Sequence, residues 1–239
     1  MIEFDQRPLN ETNPFIYIHI PKTGGKTMWH LFEQQEEQIH VWHNRYFRKL
    51  NEPATYITML RHPVDRVIST YYYIRQYERD PLYSKVKKMS LEQFVGWIQD
   101  ESVENKRSKT KQDLANIRYR TVNLSTRYLA GGSPDAFHQA KKNLKKYFSF
   151  VGVIDYYLES LYMMQRMYGW NFREFTKQNV TKNRPHLSKV DPKLIKVIET
   201  YNQHDLMLYR FSKKRFNKQL ELLNEQERYE MENWVEQYA

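Results

Sequence analysis

The sequence contains no cysteine. That excludes a disulfide scaffold, a cysteine-ligated zinc or iron–sulfur site, and a thiol nucleophile. Glycine is scarce, with seven residues in 239, so the adjacent pair Gly24-Gly25 marks a place where backbone must come close to something. No apolar run approaches the roughly 18–20 residues that cross a bilayer. The N-terminal stretch MIEFDQRPLNETNP lacks the basic, apolar and small-residue regions of a secretory leader. These absences favour a soluble chain with no membrane span, in a bacterial cytoplasm rather than the Golgi lumen. In that setting the N-x-[ST] triplets that begin at Asn10, Asn123 and Asn179 mean nothing.

Negative charge is in deficit. Lys and Arg number 38 against 28 Asp and Glu, a formal charge of +10. Hydrophobic residues at 40% and aromatics at 15% are too abundant for a disordered chain, and the length suits one domain over residues 1–239. The basic excess raises nucleic acid as a partner, but no helix-turn-helix, zinc-finger or RNP-type signature is present. Lys141, Lys142, Lys145 and Lys146 cluster in a way that a solvated helix face explains. The excess is better matched to a small polyanionic ligand and an acidic acceptor.

The chain alternates strand-like and helix-like segments, which indicates an α/β fold with a mainly parallel sheet. Phe15–Ile20, Ile39–Trp42, Tyr56–Leu60 and Phe148–Ile154 read as strands. Helical spacing covers 26–38, 64–79, a short piece around Leu91–Ile98, 113–130, 134–146 and a run to Tyr168 that Asp155 would cap. Asp191-Pro192 opens another helix, with Asp at the N-cap and Pro first inside. Residues 104–111 read as a mobile loop, and 217–239 as an exposed acidic helix.

The strongest local signal is Pro21-Lys22-Thr23-Gly24-Gly25-Lys26-Thr27, between a strand and a helix. Helix N-terminal N–H groups and the helix dipole favour an anion there. Gly24 and Gly25 let the backbone wrap it, Lys22 and Lys26 add charge, and Thr23 and Thr27 add hydroxyls. Gly25-Lys26-Thr27 matches the end of a Walker A loop, but Ile20 stands where its first glycine belongs, and Arg61 rather than an acid ends the strand Tyr56–Leu60. An ATP- and Mg²⁺-dependent kinase therefore stays an alternative, with Asp155 as its metal-binding acid. The second signal is Arg61-His-Pro-Val-Asp-Arg-Val-Ile-Ser69. Arg61 lies at the carboxyl end of a strand, where open parallel sheets bind ligands, and Ser69 follows on the next helix. Together they can hold a second phosphate.

As a pair, Ile20–Thr27 and Arg61–Tyr73 resemble the sulfotransferases that use 3′-phosphoadenosine 5′-phosphosulfate (PAPS). The likeness is to the carbohydrate branch with the heparan sulfate 2-O and 6-O enzymes and their bacterial relatives. Thr126–Gly131, Ala140–Leu144, Phe150–Val153, Asn179–Pro185 and Asp205–Tyr209 extend it over about residues 14–216. The resemblance implies a P-loop-NTPase-like fold and transfer of a sulfuryl group to a hydroxyl, with 3′,5′-ADP released. The acceptor would be a glycan or another hydroxylated metabolite, and no metal is needed. It also implies that Lys22, Thr23, Gly24, Gly25, Lys26 and Thr27 cradle the phosphosulfate. Arg61 and Ser69 would hold the 3′-phosphate, and Thr181, Lys182, Asn183 and Arg184 would close over the nucleotide. Lys22 would steady the leaving phosphate.

Such a transfer needs a base, and histidine is the natural one near neutral pH. The family carries it between the two motifs, where His40 and His43 stand. His40 fits best and His43 second, while His19 in the first strand reads as a core histidine. Residues 45–49 and 85–111 with Tyr71, Tyr72 and Tyr73 are candidates for an acceptor groove. The non-enzymatic alternative is a nucleotide- or polyanion-binding module.

Overall fold

The computed structural model describes residues 2–4, 12–99, 116–172 and 184–239. Five parallel strands form the centre: β1 (Ile2–Phe4), β2 (Phe15–Ile18), β3 (Ile39–Trp42), β4 (Thr55–Leu60) and β5 (Phe148–Val153), in the spatial order β1-β3-β2-β4-β5. Residue Ile16 of β2 stands opposite His40 of β3 on one side and Tyr56 of β4 on the other. β2, β3 and β4 are almost wholly buried, as expected for parallel strands whose faces are both covered.

Helices α1 (Gly25–Glu33), α2 (Pro63–Gln76), α3 (Tyr83–Val86), α4 (Leu91–Gly96), α5 (Ile117–Thr121) and α6 (Leu124–Leu129) precede β5, with α7 (Phe137–Tyr147) leading directly into it. Then come α8 (Tyr157–Tyr168), α9 (Pro192–Tyr201), α10 (Gln203–Glu221) and α11 (Glu225–Tyr238). One apolar cluster surrounds the sheet. A second joins Val64, Val67, Ile68 and Tyr71 of α2 to Phe94 of α4 and Ile198 of α9. No described helix is long and apolar enough to cross a membrane.

The α/β class and four of the strands stand where the sequence places them. β1 does not announce itself: it is three residues long and exists through pairing with β3. Helix α1 stops at Glu33 rather than continuing to 38. Gln35 turns inward, donating to the Leu31 and Asn171 carbonyls and accepting from the Asn171 N–H. The helix expected over 113–130 is two short ones over its described part, because Asn123 adopts a left-handed φ of 44°. Asn123 is buried and bonded to Asn202 and Asp205. Asp155 does not cap α8. It sits in a 3₁₀ turn and accepts from the Tyr209 hydroxyl at 2.5 Å and the Lys213 ammonium at 2.8 Å. Asp191 caps α9 as expected, accepting from the Lys193 N–H. The acidic helix α11 lies on α8 through Met231, a Tyr162–Trp234 ring contact and an Arg166–Glu227 ion pair. The loop expected at 104–111 and the triplets at Asn10 and Asn179 lie outside the described residues.

Arg66, from the second motif, is fully buried. It donates to the Arg120 and Thr121 carbonyls at 3.0 and 2.7 Å and faces Asp205 at 3.7 Å. Asp205 in turn accepts from the Ser125 and Thr126 N–H groups at the start of α6. This charge pair ties α2, α5, α6 and α10 together and fixes the backbone of Arg120.

Candidate active site

Parallel strands release their chains at one edge, so residues just past each strand end converge there. His19 follows β2, His43 follows β3 and Arg61 follows β4. At this edge lies a cavity of about 800 Å³. Among the described residues, six basic side chains line it (Lys22, Lys26, Arg61, Arg79, Arg120 and Arg184) against one carboxylate, Asp80. That imbalance suits a multiply anionic ligand.

The loop from His19 to Gly24 shapes one wall. Lys22 holds a left-handed φ of 71° and Gly24 one of 79°. Gly24 is the N-cap of α1 and brings no side chain to cap it. Thr23 is buried and donates to the Ile20 carbonyl at 2.8 Å, closing the loop on itself. A Cβ at Gly25 would stand 2.0 Å from His19 Nε2, so glycine is required there to admit the His19 ring. Gly24, Gly25, Lys22 and Lys26 line the cavity, whereas Thr23 and Thr27 are buried and do not.

Arg61 locks the second motif to the first. Its Nη1 donates to the Lys22 carbonyl at 2.9 Å and its Nε to Asp65 at 2.5 Å. Arg184 reaches the other oxygen of Asp65. One carboxylate in the first turn of α2 therefore orients two guanidinium groups. Ser69 and Thr70, further along α2, complete that side of the wall. Burial lowers the pKa of Arg61 to about 10, and burial with the neighbouring Arg61 does the same to Arg184. Lys22 is pushed down to about 7 by burial, then by Arg61, Arg120, Lys26 and Arg184. Its ammonium lies 4.0 Å from the Tyr73 ring centroid. Arg120, forked onto Asp80 at 2.7 and 2.8 Å, faces the same space.

The two histidines at the edge meet through their Nδ1 atoms. The ring planes differ by 17° and the centroids are 4.6 Å apart. Trp29 stands edge-on to both rings. The His43 carbonyl accepts from the Tyr128 hydroxyl at 3.2 Å, and the His19 N–H donates to the Trp42 carbonyl. Burial chiefly, with His43 and Lys22, holds His19 well below the ordinary imidazole value, so it stays neutral. It lines the cavity and is more than the core histidine that the sequence suggests.

His40, the favoured base of the sequence reading, lies elsewhere. It is fully buried in β3, 3.4 Å from Glu3 of β1, and is not on the cavity wall. The cavity brings together Lys22, Gly24, Gly25, Lys26, Arg61, Ser69, Arg184 and His43. Thr181, Lys182 and Asn183 lie outside the described residues. Tyr73 reaches the wall while Tyr71 packs into the second apolar cluster, and residues 45–49 do not line the cavity. Sequence reading missed His19, Arg79, Asp80 and Arg120. Asp155, the metal-binding acid of the kinase alternative, is engaged by Lys213 and Tyr209. Against a burial that would raise its pKa, those two hydrogen bonds hold its carboxyl below the usual value.

A family model described as "Sulfotransferase family" matches residues 8–212. Over 170 residues the chain is 25% identical to galactose-3-O-sulfotransferase 3 of Homo sapiens. That match covers 67% of this chain and 37% of the human protein, so the chain spans little more than a third of that relative's length.

Proposed function

The chain belongs to the sulfotransferase family, and from that membership we propose that it moves the sulfuryl group of PAPS to a hydroxyl of an acceptor, releasing 3′,5′-ADP. The observation that carries this reading is the meeting of the Lys22–Gly25 loop, the Arg61–Asp65–Arg184 group and the His19–His43 pair in one cavity. The donor set suits a nucleotide with phosphates at two ends. Lys22, Lys26 and the start of α1 would hold the phosphosulfate, and Arg61, Ser69 and Arg184 the 3′-phosphate.

PAPS supplies the sulfuryl group and a phosphate leaving group. The protein supplies alignment, charge neutralisation and a base. A hydrogen bond between two Nδ1 atoms requires one ring to carry its proton there. We assign that proton to His43, which leaves a lone pair on His43 Nε2. The acceptor hydroxyl gives its proton to that nitrogen as its oxygen attacks sulfur. His43 then becomes an imidazolium whose Nδ1–H still donates to neutral His19. Lys22, once an anion has restored its full charge, steadies the phosphate that leaves.

The activity in the human relative's name makes a galactose hydroxyl the first acceptor to test, within the wider class of glycans and hydroxylated metabolites. Incubation with PAPS and a panel of neutral and acidic sugars should release 3′,5′-ADP and add one sulfuryl group to an acceptor, read by mass spectrometry. Binding of 3′,5′-ADP with no transfer to any sugar or metabolite of the panel would favour a non-catalytic nucleotide-binding module. Phosphate transfer from ATP with Mg²⁺ would favour a kinase, although Asp155 is already held by Lys213 and Tyr209.

A further inference from the structure

The basic residues outside the cavity are not evenly spread. Helix α7 exposes Lys142, Lys145 and Lys146, half-exposes Lys141, and contains no acid. Helix α10, packed beside it, adds Lys214, Arg215 and Lys218. Its two acids are Asp205, which is buried against Arg66, and Glu221 at its last position. The two rows join physically. The ammonium groups of Lys141 and Lys145 lie 5.1 and 5.7 Å from the centroid of the Phe211 ring, and Arg215 donates to the Leu144 carbonyl at 3.1 Å. Helix α11 is the opposite, with five Glu against one Arg. A solvated face of ordinary composition would mix the two signs. Among the described residues, these cations of α7 and α10 gather on one face and the acids of α11 on another.

We propose that the α7/α10 face is a docking surface for a linear acidic polysaccharide, separate from the cavity. None of the residues that line the cavity belongs to α7 or α10. The choice of polymer follows from what the face has and lacks. Lysine ammonium groups on flexible stems suit repeated carboxylate or sulfate groups without demanding a fixed geometry. The phenyl and phenol rings against these lysines, Phe211 under Lys141 and Lys145, Phe137 beside Lys141 and Tyr147 beside Lys146, are all partly buried and are not presented for base stacking. Among the described residues, the large apolar side chains that stand exposed include none from α7 and only Met207 from α10, so the face offers little to insert into a bilayer. The preference for a glycan over other polyanions rests on the sulfuryl-transfer reading, in which a polymeric acceptor gains from being held at a second place. The surface itself does not rest on it.

The test uses dextran sulfate as probe, uncharged dextran as control, and binding measured at several salt concentrations. The full chain should bind dextran sulfate and not dextran, with affinity falling as salt rises. Lys141→Glu/Lys145→Glu and Lys142→Glu/Lys146→Glu should each weaken binding at least tenfold. Lys193→Glu/Lys196→Glu, the same charge change on exposed residues of α9, should weaken it less than twofold. All three variants should keep 3′,5′-ADP affinity, which also shows that they are folded and keeps this proposal separate from the nucleotide reading. Equal losses in all three would make the effect one of net charge and overturn the proposal. So would competition between dextran sulfate and 3′,5′-ADP, or a preference for anionic phospholipid vesicles or duplex DNA over dextran sulfate.

Discussion

Replacing Gly25 by alanine adds one methyl group, and the geometry says where it goes. The new Cβ would lie 2.0 Å from His19 Nε2 and 2.6 Å from the two adjoining ring carbons. Ordinary contact begins near 3.4 Å, so the ring or the helix must retreat by about 1.4 Å. The ring has little room, with Trp29 edge-on at 5.1 Å, Tyr17 at 5.9 Å and His43 bonded to its Nδ1. Overpacking of this kind costs about 1–3 kcal/mol. For a chain of this size that is a fall in Tm of roughly 3–10 °C. The retreat also breaks the His19–His43 bond, and misplacing a catalytic group by about 1 Å can cost ~100-fold in turnover. The assay is a double-mutant cycle of thermal unfolding with His19→Ala. Gly25→Ala/His19→Ala should be less destabilised than the sum of the two singles by about 1–2 kcal/mol, because the clash needs both partners. Gly96→Ala is the control: nothing lies within 4 Å of its Cβ, and it should be neutral or slightly stabilising. A Gly25→Ala protein with unchanged Tm, or singles that simply add, would show that the His19 ring does not exclude a Cβ at this position.

His43→Ala should lower turnover by about 10²–10⁴-fold while 3′,5′-ADP still binds, whereas His40→Ala should act on Tm first; comparable turnover losses with unchanged Tm would restore His40 as base. Asp205→Ala strands Arg66 in the core and uncaps α6, so denaturant unfolding should show a loss of about 3–5 kcal/mol. Lys22 makes binding proton-linked. Its pKa sits near 7 in the unliganded protein, and an arriving anion raises it. Titration of 3′,5′-ADP at pH 8 in buffers of different ionisation enthalpy should therefore reveal proton uptake, which vanishes well below pH 7 and is absent in Lys22→Met. The same depression means the unfolded chain holds a proton that the folded one lacks between pH 7 and 10.5. This residue's contribution to stability thus rises with pH across that window, and the advantage of Lys22→Met in the unliganded state should shrink over it.

Much of this was legible in the sequence because it is local. The anion loop is seven consecutive residues, and β2, β3 and β4 are short apolar runs whose burial on both faces follows from parallel pairing. What the sequence hides is which residue of a segment meets the cavity. Arg61 is found by looking one residue past the end of β4. The same step past β3 gives His43 and past β2 gives His19, whereas His40 is inside its strand and turned into the sheet's own packing. Arg120 and Asp80 reach the wall through Arg66 and a fork of hydrogen bonds between segments forty positions apart. No spacing rule within either segment carries that information. β1 and the break at Asn123 are likewise products of distant partners, β3 and Asn202.

We propose the cavity at the strand edge as the site for a nucleotide phosphorylated at both ends. Calorimetric titration with 3′,5′-ADP, and separately with ATP and Mg²⁺, tests it most directly. Tight 3′,5′-ADP binding that weakens at least tenfold in Arg61→Ala is expected, with much weaker binding of ATP. Tighter binding of ATP with Mg²⁺, or 3′,5′-ADP binding untouched by Arg61→Ala, would contradict it.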